Sequence, residues 1–349
     1  MYRTLKQVSQ VNPKFYRELV RDILYSTPCS PESYFYMRQL YVSTKGDFNR
    51  EVSELYSLFK PKKVSFPRFS GLLVDPQSSN SYRLIQEGLE NLERDGIHKF
   101  AKQLAPKTLV SIRDAVFKIP VFDEVVGKPI LPQDLIARRS YKKPTYRINI
   151  QELLKCPDIQ ELVLDESLLF LAQEQLGCNP VLCTVSAWFS FPLTDCELAV
   201  RERSLSDAAQ KFHFDMDRLR FVNIFIYLND VTLDNGPFVY VKGSHHTKPP
   251  NLRDGRYEDS EISAFYSNQD IVEVTGPAGS IFVTDNFGFH KGKPLNSGFR
   301  CVFQLVYSVS LFGAEHQYQK IPTSQYSSSF VDRLLSRNQT FSGRFKIQD

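Results

Sequence analysis

A chain of 349 residues is long enough for one large domain with a smaller appendage, and it can bury a substantial core. Its formal net charge of +4 is too mild to point by itself to nucleic acid or to a membrane surface. Its six cysteines (Cys29, Cys156, Cys178, Cys183, Cys196 and Cys301) show no C-x-x-C spacing, its start lacks a signal peptide's apolar core, and no apolar run approaches the ~20 residues that span a bilayer, so a soluble, cytoplasmic protein with reduced thiols is expected.

Residues 1–78 read as an N-terminal helical region. FYRELVRDILYS and REVSELYSLFK space their apolar residues as helices do, and proline-containing stretches at Pro28, from Pro61 to Pro67 and at Pro76 separate the pieces. The region carries no recognisable chemistry; it reads as a packing or dimerisation appendage, with a lid over a site as the alternative. From Ser81, SYRLIQEGLENLERDGIHKFAKQL begins a helical layer expected on the outside of a later sheet. Residues 121–150 are less regular and gather Arg138, Arg139, Lys142, Lys143 and Arg147, either a solvated basic loop or a patch for an anionic substrate group. INIQELLKCPDIQELVLDESLLFLAQEQLG then reads as helices, with Gly177 as a C-cap.

NPVLCTVSAWFSFP is the first convincing strand. Its alternation puts Thr184, Ser186, Trp188 and Ser190 on one face, of undetermined direction, and Trp188 reads as core rather than as a substrate platform. LTDCELAVRERSLSDAAQK is polar and irregular; in the fold class that the resemblance below implies, such a segment commonly overhangs the site, which makes it a candidate substrate loop. The strand after it alternates Phe221, Asn223, Phe225 and Tyr227 against Val222, Ile224, Ile226 and Leu228. The polar and aromatic set makes the better pocket wall, because aliphatic side chains cannot orient a ligand by hydrogen bonds. Asn223 is either a co-substrate contact or a satisfied buried amide. LDNGP marks a turn. Adjacent His245 and His246 face opposite ways on an extended chain and read as non-ligands, while His98 and His316 read as structural or surface residues.

The chemistry concentrates in two places. His213-Phe214-Asp215 sets an imidazole and a carboxylate two residues apart, so on a strand both point the same way. Downstream, GSIFVTDNFGFH ends in His290 after an apolar strand bounded by the turn Gly276-Pro277-Ala278-Gly279, and Arg300 opens RCVFQLVYSVS ten residues later. Two histidines and one carboxylate form the facial triad that leaves positions open on non-haem Fe(II). A guanidinium nearby can take a carboxylate through two parallel hydrogen bonds. Gln304 shares the face of Arg300, Val302 and Val306, as a ligand contact or as a buried amide paired to neighbouring strands. Asp285 is an alternative carboxylate ligand, but it lacks the two-residue geometry of Asp215 and reads rather as a turn or capping residue.

This ordered set, HFD at 213–215, NGPFVYVKGSH at 235–245 and GSIFVTDNFGFHKGKPLNSGFR at 279–300, resembles the phytanoyl-CoA dioxygenase (PhyH-like) family of Fe(II)/2-oxoglutarate-dependent oxygenases. LERDGIHKFAKQLAPKTLVSIRDAV resembles the family's lead-in helices. The resemblance implies a mainly β fold with flanking helices, a double-stranded β-helix (jelly-roll, cupin-like) core over 79–316, with the helical region before it and a C-terminal surface segment, 317–349, of surface helix and frayed end. It implies Fe(II) on His213, Asp215 and His290. The 2-oxoglutarate would chelate the metal, with its distal carboxylate on Arg300 and further contacts from Asn223, Phe225 and Gln304. O2 is then the oxidant, with ascorbate as a stimulant, and the expected activity is hydroxylation of a small metabolite or natural-product intermediate with release of succinate and CO2. Family members that halogenate replace the carboxylate ligand by a small residue, so Asp215 favours hydroxylation or a related desaturation. Two positions depart from the family pattern: Gly292, where some members carry a hydroxyl, and Lys242, where proline is common.

The partner is expected to be a small molecule, anionic if the basic 138–147 run serves it, with no nucleic acid and no membrane; both monomer and homodimer remain open. The competing readings are a non-catalytic metal-binding β-barrel, against which Arg300 speaks, and an oxygenase acting on tRNA or protein, for which no RNA-binding module is evident.

Overall fold

The alternating apolar runs of the chain's second half build two sheets that meet through their rings. The computed structural model describes residues 13–25, 29–66, 71–75, 80–124, 127–138, 141, 143–194, 197–216, 218–313 and 318–348. Pro28, Pro67, Pro76, Arg139, Lys142, Cys196 and His316 lie outside the described residues.

Helices α1 (Pro13–Tyr25), α2 (Pro31–Thr44), α3 (Asp47–Phe59) and α4 (Ser81–Asp95) lead into strand β1 (Ile97–Gln103) and helix α5 (Pro106–Val116). A hairpin, β2 (Val121–Asp123) and β3 (Lys128–Ile130), precedes β4 (Thr145–Arg147), α6 (Pro157–Val163), α7 (Glu166–Leu176), β5 (Val181–Ser190) and α8 (Leu198–Asp207). Strands β6 (Phe221–Tyr227), β7 (Phe238–Val241), β8 (Ile271–Val274), β9 (Ser280–Thr284), β10 (His290–Gly292) and β11 (Arg300–Ser308) follow. The chain continues through β12 (Gln319–Pro322), helices α9 (Ser328–Ser336) and α10 (Asn338–Phe341), and β13 (Phe345–Gln348).

The large sheet runs β1-β9-β6-β11-β5-β4 and the small one β10-β7-β8, antiparallel throughout. This is the double-stranded β-helix with helices in front of it and around it. Phe225 and Phe282 of the large sheet pack on Phe238 of the small one, with ring centroids 5.2 and 5.4 Å away. The other face of the large sheet is aliphatic. Ile224, Ile226, Val283 and Leu305 form one core with Leu168, Leu171 and Leu176 of α7, which is why β6 is buried on both faces. Leu19, Met37, Leu40 and Phe48 of the leading helices join that same core. No helix among the described residues is long and apolar enough to cross a membrane.

Some expectations change. IHKFAKQ is not helical: Gly96, at φ +78°, caps α4, and the next seven residues form an edge strand that pairs with β9 through Ile97, His98, Lys99 and Gln103, with a register shift between Lys99 and Gln103. A left-handed glycine directly after the last helical turn ends a helix wherever the periodicity would carry it. The segment before His213 is not irregular, since residues 198–207 form α8. The tail is not a frayed surface segment. β12 and β13 pair in parallel, and Ile321, Phe330, Leu334, Phe341 and Phe345 are buried in the main core.

Candidate active site

His213 and His290 are brought together by the backbone. Each residue's N–H donates to the other's carbonyl, at 3.0 and 2.8 Å, so the two form one antiparallel rung, with ring centroids 4.3 Å apart. Asp215 is held by a second rung, its N–H donating to the Asn286 carbonyl at 2.8 Å. The two-residue spacing does the rest: Phe214 points away into rings, stacked on Tyr41 and edge-on to Phe289, while its neighbours converge. His213 Nε2 lies 3.7 Å from Asp215 Oδ1, and His290 Nε2 3.7 Å from Oδ2. One ligand atom from each of the three lies within 4.8 Å of the others, the geometry of a single-ion site.

The imidazoles are prepared as ligands. His213 Nδ1 sits 2.9 Å from the Lys211 carbonyl and His290 Nδ1 2.9 Å from that of Gly288. A carbonyl can only accept, so Nδ1 carries the proton and the Nε2 lone pair faces the carboxylate. Burial, with His290 beside it, pushes His213 well below the usual imidazole range, and burial likewise lowers His290. For Asp215 burial works upward, but His290, His213 and the Asn286 amide outweigh it and keep the carboxylate below its ordinary value. Asn286 Nδ2 donates to Asp215 Oδ2 at 2.9 Å, and Thr284 Oγ1 holds the amide oxygen from behind at 2.6 Å.

The three residues line one wall of a cavity of about 800 Å³. Its inner end is aromatic, with Phe225, Tyr227, Phe238 and Phe282 around Val302, Gln304 and Arg300. Arg300 is only 5% exposed, yet among the described residues its guanidinium meets no carboxylate: Nη2 approaches Ser190 Oγ at 3.4 Å, and Nε and Nη1 have no partner there. Burial lowers its pKa, with Tyr227 acting in opposition. A buried, unpaired guanidinium is costly unless something anionic completes it.

The family model for phytanoyl-CoA dioxygenase (PhyH) matches residues 92–301, well over half of the chain. The chain belongs to that family. This PhyH-family protein is thus a non-haem Fe(II)/2-oxoglutarate-dependent oxygenase. No curated protein sequence matches it. Among solved structures it is similar to AviO1 from Streptomyces viridochromogenes Tue57 (18% identity over 64% of this chain and 94% of that one, TM-score 0.43). HygX from Streptomyces hygroscopicus, with nickel, 2-oxoglutarate and hygromycin B bound, shows 16% identity over 68% and 90%, TM-score 0.42. SnoN, a non-heme alpha ketoglutarate dependent epimerase from nogalamycin biosynthesis, shows 14% over 65% and 84%, TM-score 0.45.

In this PhyH-family site the residues present fit both groups. Two neutral imidazoles and a carboxylate suit Fe(II), and the orphaned donors of Arg300 suit a carboxylate. Gly292 clears the space for that guanidinium, since a Cβ there would stand 2.7 Å from Nη2. Phe225 and Gln304 line the cavity with Arg300, whereas Asn223 sits behind, its Oδ1 accepting from Gln304 Nε2 at 2.8 Å. Ser186 closes that chain, donating to Gln304 Oε1 at 3.1 Å.

Trp188 is partly buried against the core cluster of Phe225, Tyr227, Phe238, Phe282 and Val302, and it also faces the cavity. Opposite Val302 and one rung from Ser190, it lies on the inward face of β5 and lines the cavity. Ser204, Asp207, Ala208 and Ala209, in and just after α8, line it from the other side. His245 and His246 do not face opposite ways. They lie in a turn rather than an extended strand, with ring centroids 3.9 Å apart and both Nε2 atoms on the Glu93 carbonyl, away from the metal ligands. His98 is structural, bonded to Asn91. Asp285 accepts from the Phe287 N–H, a turn role. Lys242 forms an ion pair with Asp95 at 3.6 Å.

Sequence reasoning missed Asn286, which T-D-N could have flagged only once Asp215 was known to lie opposite. It also missed Lys248, whose ammonium is buried against the Phe287 carbonyl and the rings of Phe214 (4.5 Å) and Phe289 (4.8 Å). Burial pushes its pKa well down, with Asp285 opposing.

Proposed function

We propose that this protein hydroxylates a small molecule, a metabolite or natural-product intermediate, with release of succinate and CO2. The observation that carries the reading is Arg300, a buried cation without an acid, at the inner end of the cavity whose wall holds His213, Asp215 and His290. His213, Asp215 and His290 would hold Fe(II). Arg300 would hold the distal carboxylate of 2-oxoglutarate, with Phe225 and Gln304 beside it and Asn223 fixing the Gln304 amide. The bound pair supplies the oxidation, decarboxylating 2-oxoglutarate and placing one oxygen atom of O2 in the substrate.

The chain's own work is positioning and exclusion of water. Phe225, Phe238, Phe282 and Val302 keep the co-substrate end dry, which strengthens the pairing to Arg300. Asn286 orients the Asp215 carboxylate. The retained carboxylate favours hydroxylation or desaturation over halogenation. A volume of about 800 Å³ is far more than 2-oxoglutarate needs and leaves room for a drug-sized substrate. Residues 79–316 would form the catalytic domain, 1–78 its helical support and 317–349 a C-terminal segment. The free thiols Cys29, Cys156, Cys178, Cys183 and Cys301 suit a cytoplasmic setting.

The test is anaerobic titration of Fe(II)-loaded protein with 2-oxoglutarate, followed by the visible metal-to-ligand charge-transfer band. Wild type is expected to show the band and Asp215→Ala to lose it. Metal-loaded wild type without the band would overturn the reading.

A further inference from the structure

The described cations of the basic run at 138–147 differ in what they meet. Arg138 is spent on the buried carboxylate of Asp123 at 2.6 Å, and Lys143 on Glu124 at 2.6 Å. Asp207, on the opposite rim, has Arg203 at 3.8 Å. Arg147 is different. Its side chain lines the cavity, is exposed to solvent, and makes no ion pair among the described residues.

Its place is set by register. Arg147 on β4 stands directly opposite Trp188 on β5, which stands opposite Val302 on β11. Cross-strand partners share a face, so these side chains form one row across the cavity wall. The next row is Thr145, Ser190 and Arg300. One sheet face therefore presents two guanidiniums without acids. Arg300 is buried on β11, the third strand of its row, and Arg147 is open on the edge strand, on the order of 10 Å away across two strand spacings. Between them lies the ring of Trp188, the chain's single tryptophan.

We propose that the substrate of this oxygenase is an organic acid with a flat, apolar body, lying on Trp188 with its anionic group on Arg147. The assignment rests on the proposed function, because it takes Arg300 to be occupied by the co-substrate. A planar body matches the indole face, and a fork of guanidinium donors matches a carboxylate. The pair at the rim contributes discrimination between acid and neutral analogue.

The single tryptophan makes the test direct. In the anaerobic Fe(II)/2-oxoglutarate complex, trans-cinnamate and its neutral isostere cinnamamide are titrated while Trp188 emission and the charge-transfer band are followed together. Cinnamate is expected to bind about tenfold more tightly than the amide, the effect of one charge-assisted contact at a partly open site. Arg147→Gln should bring the acid to the affinity of the amide and leave the amide unchanged. Lys143→Gln, whose partner is Glu124, should keep the ratio. Equal binding of acid and amide by wild type, or a ratio that survives Arg147→Gln, overturns the inference while a persisting band leaves the functional reading intact. Loss of the band on adding cinnamate would put the acid on Arg300 and overturn it too. No band before any addition overturns the functional reading, and this inference with it.

Discussion

A single methyl group at residue 292 should separate co-substrate binding from metal binding. In Gly292→Ala the new Cβ would stand 2.7 Å from Arg300 Nη2 and 3.5 Å from Cζ and Nη1, where ordinary contacts begin at 3.4 Å. The guanidinium must retreat by on the order of 0.7 Å. It is the end of a flexible side chain, so the fold can yield, at about 1 kcal/mol. The anchoring role is less forgiving. A hydrogen bond to a charged group contributes about 1.5–3 kcal/mol, so one misaligned contact to the distal carboxylate should weaken 2-oxoglutarate binding by about 10–100-fold. The metal ligands are untouched, since the Gly292 N–H still donates to the Ala209 carbonyl at 3.0 Å. Two titrations decide it: Fe(II) or Co(II) into apo-protein, and 2-oxoglutarate into the metal-loaded form under anaerobic conditions. Metal affinity near wild type with a large loss for 2-oxoglutarate is expected. Co-substrate affinity within about twofold of wild type would refute the argument that Gly292 exists to seat Arg300.

Asn286→Leu removes the amide that orients Asp215 while keeping its branched outline, and should weaken Co(II) binding by about 10–100-fold and alter the d–d spectrum; an unchanged spectrum and affinity would deny Asn286 this role. Lys248 has its pKa depressed in the fold, so over the window from that value up to its unfolded pKa the unfolded chain binds more protons and stability rises with pH. Urea unfolding from pH 7 to 9.5 should therefore show a positive slope component that Lys248→Met lacks, and equal slopes would contradict it. Ala209 sits at φ +57° just after α8, a conformation costing an L-residue about 1 kcal/mol, so Ala209→Gly should raise stability by about that amount in urea unfolding.

That His213 and Asp215 face the same way was legible from the two-residue spacing of H-x-D on an extended segment, and the face shared by Arg300 and Gln304 followed from strand alternation. What could not be read is where distant segments meet. The Asp215–Asn286 rung joins residues far apart in sequence, and the direction in which Trp188 points depends on its pairing with Val302. β1 was obscured because IHKFAKQ continues the apolar spacing of α4, and only the left-handed Gly96 breaks it. The serine-rich tail hid its anchors, since Ile321, Phe330, Leu334 and Phe345 are spread too thinly among polar residues to announce burial. His245 and His246 were misjudged through the assumption of an extended chain where the fold makes a turn.

The rung between His213 and His290 also bears on the order in which this protein assembles. Closing so long a loop costs entropy that a chain recovers only after the strands between have paired. In the folded protein β6, β7 and β9 lie between the two histidines in sequence, and Tyr41 from the N-terminal side packs on Phe214 and Phe287. The ligands are therefore expected to gather late in folding, with the ion binding after the chain has folded rather than templating it as zinc does in a finger. On that expectation the apo-protein should fold, persist and accept substitute divalent ions.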